Sequence, residues 1–318
     1  MSAKKIITVF GATGAQGGSV VKSILGDSKM KEAWTVRGVT RDTTKPSAKA
    51  LEALGAETVT ANLNDAESVR AAIKGSYAVY GVTNFWESGD GDVEMAQGRA
   101  MADGAKEAGV QHLVWSSLPN VSERSNGGLT GVLHFDSKAG VEAYIRKIGV
   151  PATFFMPGFY MSNLPGGMFR QAPPSNDYTL ALPVPASSPV PLLDTEDDTG
   201  KFVKGILLHR ERVLGKRILG ATEYLTLEEI RTQFQETFPE AGKTARNVEL
   251  PHDVFKNIMM GSGRSDAGAE DLLQNMRLLN EYGYYFGESL DESLAILGEE
   301  PTTWKQYMKK AKAWANLK

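Results

Sequence analysis

Apolar and polar positions along the chain follow two alternating rhythms. Ile6-Ile7-Thr8-Val9-Phe10 is an apolar, β-branched run, the pattern of a strand buried on both faces. It stops at Gly11, and apolar residues then recur with helical spacing at Val20, Val21, Ile24 and Leu25. The same exchange continues through the first half. Strands are predicted at Trp34–Thr40, Glu57–Ala61, Tyr77–Val82, His112–Trp115 and Ala152–Met156. Helices are predicted at Lys49–Leu54, Ser68–Lys74 and Asp92–Gly109, and from His134 through Val141, Tyr144 and Ile145, after a polar loop from Asn120 to Gly131. Strands alternating with helices imply right-handed crossovers and a parallel sheet.

Beyond Leu164 the rhythm breaks. Pro165, Pro173, Pro174, Pro183, Pro185, Pro189 and Pro191 make residues 165–191 an excursion, with a hairpin around Tyr178–Leu182. Helices follow at Asp194–Leu208, from the Thr226-Leu227-Glu228-Glu229 capping box to Phe238, from Pro251 onward, at Asp271–Tyr285 and at Thr302–Asn316, with a short strand at Asn247–Leu250. The expected fold is α/β: a Rossmann-type doubly wound parallel sheet with a smaller α+β C-terminal lobe. Residues 1–164 form the nucleotide-binding domain. Residues 165–318 form the lobe that covers the cleft, with room for some of its segments to return to the first domain.

The turn between the first strand and helix carries Gly-x-x-Gly-x-x-Gly at Gly11, Gly14 and Gly17. Gly11 allows the tight turn, Gly14 lets a pyrophosphate approach the backbone, and Gly17 lets helix pack on strand. The helix N-terminus offers free N–H groups and partial positive charge to phosphates. The second strand ends in Arg41, with Lys45 close behind, where an acidic residue would favour NAD and a basic one the 2′-phosphate of NADP. Guanidinium binds phosphate through two parallel hydrogen bonds, so these residues point to NADP(H). Asn62 ends the third strand beside the expected adenine, and Thr83 and Asn84 follow the fourth, where open α/β sheets bind ligands.

Composition narrows the picture further. The chain has 318 residues, a formal net charge of −3 and no cysteine. Its length supports a sizeable core. The charge argues against direct nucleic-acid binding. The lack of thiols removes disulfides, thiolate metal sites and thiol catalysis, so no metal site is expected. No apolar run reaches membrane-spanning length, and the first residues lack a secretory apolar region. The expected setting is cytoplasmic, with the nucleus as a second compartment.

The candidate catalytic residues are His134, Lys138 and Ser117. His134 and Lys138 lie four apart on one helical face, and Ser116 and Ser117 end a neighbouring strand. Such a hydroxyl–imidazole–ammonium cluster beside a nicotinamide suits proton transfer, with Lys138 also bonding the nicotinamide ribose.

Several segments together resemble the NmrA-like family, an atypical branch of the extended short-chain dehydrogenase/reductases, and most of all its redox-sensing members. They are residues 11–17, 39–41, 82–88, 134–138 and 157–164. The resemblance implies NADP(H) contacts from Thr13, Gly14, Ala15 and Gln16, from Arg41 and Lys45, and from Asn62 and Leu63. It implies further contacts from Thr83, Asn84 and Phe85, from Lys138, and from Tyr160, Met161, Ser162 and Asn163. Two departures stand out. His134 replaces the tyrosine that enzymatic short-chain dehydrogenases carry four residues before the lysine, and Ala96 replaces a lysine of the sensor-like relatives. The expected function is therefore an NADP(H)-binding redox sensor. Cofactor occupancy would bias loop order or self-association, a homodimer included, and a transcription factor or metabolic enzyme would read the result. The alternative is an NADPH-dependent oxidoreductase acting on a small quinone, enone, imine or carbonyl, in a pocket lined by Phe85, Trp86, Phe159 and Tyr160.

Overall fold

The structure is a computed structural model that describes residues 3–172 and 177–317; Pro173 and Pro174 lie outside the described residues. Among the described residues, thirteen strands occur in chain order. They are β1 (Lys5–Val9), β2 (Trp34–Thr40), β3 (Glu57–Thr60), β4 (Ala78–Gly81), β5 (His112–Ser116), β6 (Ala152–Pro157), β7 (Phe159–Tyr160), β8 (Phe169–Ala172), β9 (Asp177–Leu182), β10 (Pro189–Leu193), β11 (Arg217–Gly220), β12 (Glu223–Thr226) and β13 (Arg246–Glu249). Seven of them form one sheet in the order β3-β2-β1-β4-β5-β6-β11, and every pairing in it is parallel. The winding reverses between β1 and β4, which opens a crevice at their carboxyl ends.

Both faces of this sheet are covered, which is why its strands read as continuous apolar runs. On one face Ile7, Val9 and Val36 pack with Val20 and Ile24 of the first helix and with Phe202 and Ile206 of a later one. On the other, Val79, Leu113 and Trp115 pack with Met101 and Ala105 and with Val141 and Ile145. The later helix, Asp198–Leu208, docks tightly on the first. The Gly200 N–H donates to Ser19 Oγ at 2.9 Å, and a Cβ on Gly200 would stand 2.2 Å from the Ser19 carbonyl oxygen.

Two three-stranded sheets, β12-β10-β7 and β13-β9-β8, lie beside the main one over a third, aromatic-rich core. Phe169, Phe234, Trp304 and Trp314 make its centre. The hairpin expected around Tyr178 is present as β8 and β9. Thr226 caps its helix with Glu229 reciprocating, as the sequence indicates. Several elements differ from expectation: the last helix, expected over Thr302–Asn316, ends at Lys310, and the one expected at Asp271–Tyr285 spans Asp266–Glu281. The Asp194 helix begins at Asp198, because Asp194 is buried in a turn and ion-paired with Lys310. The segment after Asn120 is not all loop: Asn120 caps a short helix, Val121–Arg124. Among the described residues no helix is long and apolar enough to cross a membrane.

His112, at the start of β5, is fully buried, and its Nε2 lies 2.8 Å from Thr153 Oγ1. Burial pushes its pKa from 6.5 down to about 4. The unfolded chain therefore binds a proton there that the folded chain refuses. The contribution of this group to stability is full above pH 6.5 and is lost as pH falls toward 4. The loss should reach about 3 kcal/mol. Urea unfolding of His112→Gln across that window should show a correspondingly flatter pH dependence than the parent.

Candidate functional site

The reversal between β1 and β4 leaves a crevice of about 530 Å³. Its floor is the turn after β1. Gly11 takes a left-handed conformation, φ +61°, and Gly14 N–H donates back to Gly11 O at 2.9 Å. Gly14 then stands at the N-cap of the Ala15–Gly26 helix with no side-chain cap bond, so the first-turn amides keep their hydrogens. A Cβ on Gly17 would stand 2.3 Å from the Gly11 carbonyl oxygen, so helix and strand meet as closely as a pyrophosphate cradle requires. Thr13, Ala15 and Gln16 also line this floor. These features fit a dinucleotide.

Arg41 and Lys45 line one wall. Asp42, between them, does not compete for a ribose. Its carboxylate accepts the Thr44 N–H at 2.8 Å and hydroxyl at 2.6 Å, and those bonds hold it below the usual carboxylate pKa range. Arg41 is ion-paired across the crevice with Glu87 of the short Phe85–Ser88 helix, a partner the sequence did not single out. Asn62 and Leu63 line the crevice at the end of β3. From the Gly91–Glu107 helix it is Gln97, next to Ala96, that faces in.

Arg41→Ala should weaken NADPH binding by tenfold or more while leaving NADH nearly unchanged, since a hydrogen bond to a charged group contributes about 1.5–3 kcal/mol. Glu87→Gln should strengthen NADPH binding a few-fold by freeing the guanidinium. Fluorescence titration of both nucleotides checks both results.

The other end of the crevice is lined by Thr83, Asn84 and Tyr160. Lys138 lies one layer behind. It is buried, and its Nζ donates to Thr83 O at 3.1 Å, Thr83 Oγ1 at 3.0 Å and Glu94 Oε1 at 2.6 Å. Burial lowers its pKa, opposed by Glu94, which also accepts from Thr83 Oγ1 at 2.7 Å and from Ser137. Ser117 faces away from the crevice and donates to buried Glu142 at 2.7 Å; Ser116 is the serine turned toward it, bonding Gln16 at 2.9 Å.

His134 stands beside the crevice rather than on its lining. Its ring Nδ1 and main-chain N–H are both held by the buried carboxylate of Asp271, and its ring lies 5.0 Å from Trp86 and 5.9 Å from Phe85. Phe85 is buried directly after Asn84. Met161 is buried in the core of the small sheets, and Ser162 lines a separate cavity of about 400 Å³. Exposed Asn163 follows it, its carbonyl accepting from Met168 N at 3.2 Å. The four residues from Tyr160 to Asn163 thus face different surroundings.

Glu94 and Asp271 carry the organisation of this end, and sequence reasoning missed both. Glu94 sits at helical offset from nothing that marks it. Asp271 lies 137 residues from His134 and gives no local signal.

A seven-stranded parallel sheet, a glycine turn opening a helix, and a basic second strand end define a Rossmann-type dinucleotide-binding protein. The NmrA-like family model matches residues 3–308, and the chain belongs to that family. It is 32% identical to the NmrA-like family domain-containing oxidoreductase cpsB of Aspergillus campestris, over 100% of this chain and 92% of that one. It is 36% identical to the oxidoreductase malD of Malbranchea aurantiaca over 78% of this chain and 76% of that one. Among solved structures, NmrA, a negative transcriptional regulator in complex with NADP, superposes with a TM-score of 0.80 at 21% identity, covering 97% of this chain and 95% of that one. Triphenylmethane reductase from Citrobacter sp., complexed with NADP(H), gives 0.75 at 19%, covering 96% and 99%.

Proposed function

We propose that the protein binds NADP(H) and reduces a small planar acceptor, a carbonyl, imine, enone or quinone, at the Asn84–Tyr160 end of the crevice. One observation carries this reading. A single crevice runs from two cationic side chains, Arg41 and Lys45, past the first-turn amides to Asn84, and the chain then turns into the aromatic cluster of Phe85, Trp86 and His134. The relatives named as oxidoreductases support it. Bound NADPH supplies a hydride. Arg41 and Lys45 would hold the 2′-phosphate, the turn amides would hold the pyrophosphate, and the partly exposed Trp86, backed by buried Phe85, would offer a flat, apolar face to the acceptor. The Asp271 carboxylate, bonded to both Nδ1 and the main-chain N–H, fixes the His134 ring against Trp86 and Phe85 and so holds this edge of the acceptor site in place. Lys138 braces Thr83, at the crevice's edge, from behind.

The test is loss of reduced-nicotinamide absorbance with a panel of aldehydes, imines, enones and quinones. Turnover of at least one class is expected, and His134→Ala should raise its KM. No oxidation above background with any class would overturn the reading.

A sensor reading has one observation in its favour: Lys138 and Ser117 are both bonded to buried carboxylates. Under it, NADP(H) would change proteolytic sensitivity or oligomeric state without turnover, and a transcription factor or metabolic enzyme would respond. NADP(H) at about 100 times its Kd contributes about 2.7 kcal/mol to whichever state binds it. Limited proteolysis and size-exclusion with and without NADP(H) separate the two readings.

A further inference from the structure

The far end of the crevice holds a directed chain of hydrogen bonds. Gln16, in the first turn of the Ala15–Gly26 helix, accepts at Oε1 from Tyr80 Oη at 2.5 Å and from Ser116 Oγ at 2.9 Å. Both lone pairs of that oxygen are filled. Nε2 is thereby turned toward Tyr160, donating to its Oη at 2.7 Å. Tyr160 is an acceptor toward the protein, and its own O–H meets no acceptor among the described residues. The same side chain lines the crevice.

The neighbouring tyrosines are differently placed. Tyr80 gives its proton to Gln16, Tyr284 to Pro157 O at 3.2 Å and Tyr285 to Met156 O at 2.7 Å. Of these four hydroxyls only that of Tyr160 has a proton free to point into the crevice. Lys138 and Ser117 are held by carboxylates, and His134 is held by Asp271 and stands off the crevice lining.

We propose that Tyr160 is the proton donor to the acceptor molecule, aimed by Gln16, with Tyr80 and Ser116 positioning the carboxamide. The proposal rests on the reductase reading. With a carbonyl, the carbon gains the hydride of NADPH and the π pair moves onto oxygen. That oxygen takes the Tyr160 proton. The phenolate accepts from Gln16 Nε2–H and is reprotonated by water, and alcohol and NADP+ leave. Burial raises the pKa of Tyr160, so the phenol keeps its proton until a stronger base, the nascent alkoxide, forms beside it.

Two experiments on the full chain test this. In turnover with benzaldehyde, Tyr160→Phe should lower kcat by about 100-fold or more with KM and NADPH affinity within a few-fold, the range typical of general-acid loss. Gln16→Leu should lower it less, and Tyr284→Phe should keep nearly all of it. Tyr160→Phe with parental kcat would overturn the proposal. The second readout needs no turnover and so stands if the reductase reading fails. Ultraviolet-difference titration should show one tyrosine whose ionisation moves to lower pH when NADP+ binds and sets its cationic nicotinamide ring beside the hydroxyl. The response should vanish in Tyr160→Phe and survive in Tyr284→Phe. A response that persists in Tyr160→Phe, or no responding tyrosine at all, would overturn it.

Discussion

Gly17→Ala should abolish nucleotide binding and cost the fold about 3 kcal/mol, the upper part of the range for overpacked sites. The added Cβ would lie 2.3 Å from Gly11 O, 2.5 Å from Gly11 C and 2.8 Å from Phe10 O. All three are main-chain atoms, so no rotamer change relieves the clash. Either the helix lifts off β1 or the Gly11 turn opens, and both move the first-turn amides. Gly18→Ala is the matched control, since its Cβ would rest 3.4 Å from Ala12 O. NADPH titration and thermal unfolding of the pair should separate sharply. Parental NADPH affinity in Gly17→Ala would remove the turn amides from the site.

Lys138→Met should be the most destabilising change near the crevice. It leaves Glu94, 1% exposed, with the hydroxyls of Thr83 and Ser137 but no cation. Removing one partner of a buried ion pair costs about 3–5 kcal/mol, a large part of the 5–15 kcal/mol that holds a typical domain together. Lys138→Met with Glu94→Gln should recover much of the loss, because no uncompensated charge then remains. The pH dependence carries a further sign. Burial lowers the Lys138 pKa below its ordinary 10.5, so just below that pH the unfolded chain binds more protons than the folded one. This group's contribution to stability therefore rises with pH through that window, and the rise should disappear in Lys138→Met. Urea unfolding at a series of alkaline pH values checks both results.

Much of the main sheet is legible in the sequence because its strands are doubly buried and punctuated by glycine, as at Val9-Phe10-Gly11. The cofactor crevice is legible for the same reason: a glycine turn and a basic strand end are local signals. The small sheets are not. β10 holds Pro189 and Pro191, which read as breakers. It is nonetheless a strand because β7 meets it only at Leu192 and Leu193, so little is asked of the missing N–H groups. β12, and β11 at the edge of the main sheet, are four residues each and lie outside the strand–helix alternation that marks the equally short β3 and β4. Within the site, the His134–Lys138 spacing is local, but the groups that engage each of them, Asp271 and Glu94, lie on other helices. Asp136 shows the same limit. It accepts from the N–H groups of Val121 at 2.6 Å and Ser122 at 3.2 Å, and so caps a neighbouring helix rather than its own.

One of the two edge strands of the main sheet, β11, comes from beyond residue 200 and zips onto β6 from Arg217 to Gly220. Leu219 N–H is tied in turn to Ser293 Oγ at 2.8 Å. The nucleotide-binding half is therefore no transplantable cassette. A fragment cut before this strand would leave the β6 rim unzipped, an invitation to polymerise. Chimeras that exchange the later lobe between relatives must keep residues 217–220 matched to β6, so new specificities in this scaffold are better sought by point substitution than by shuffling.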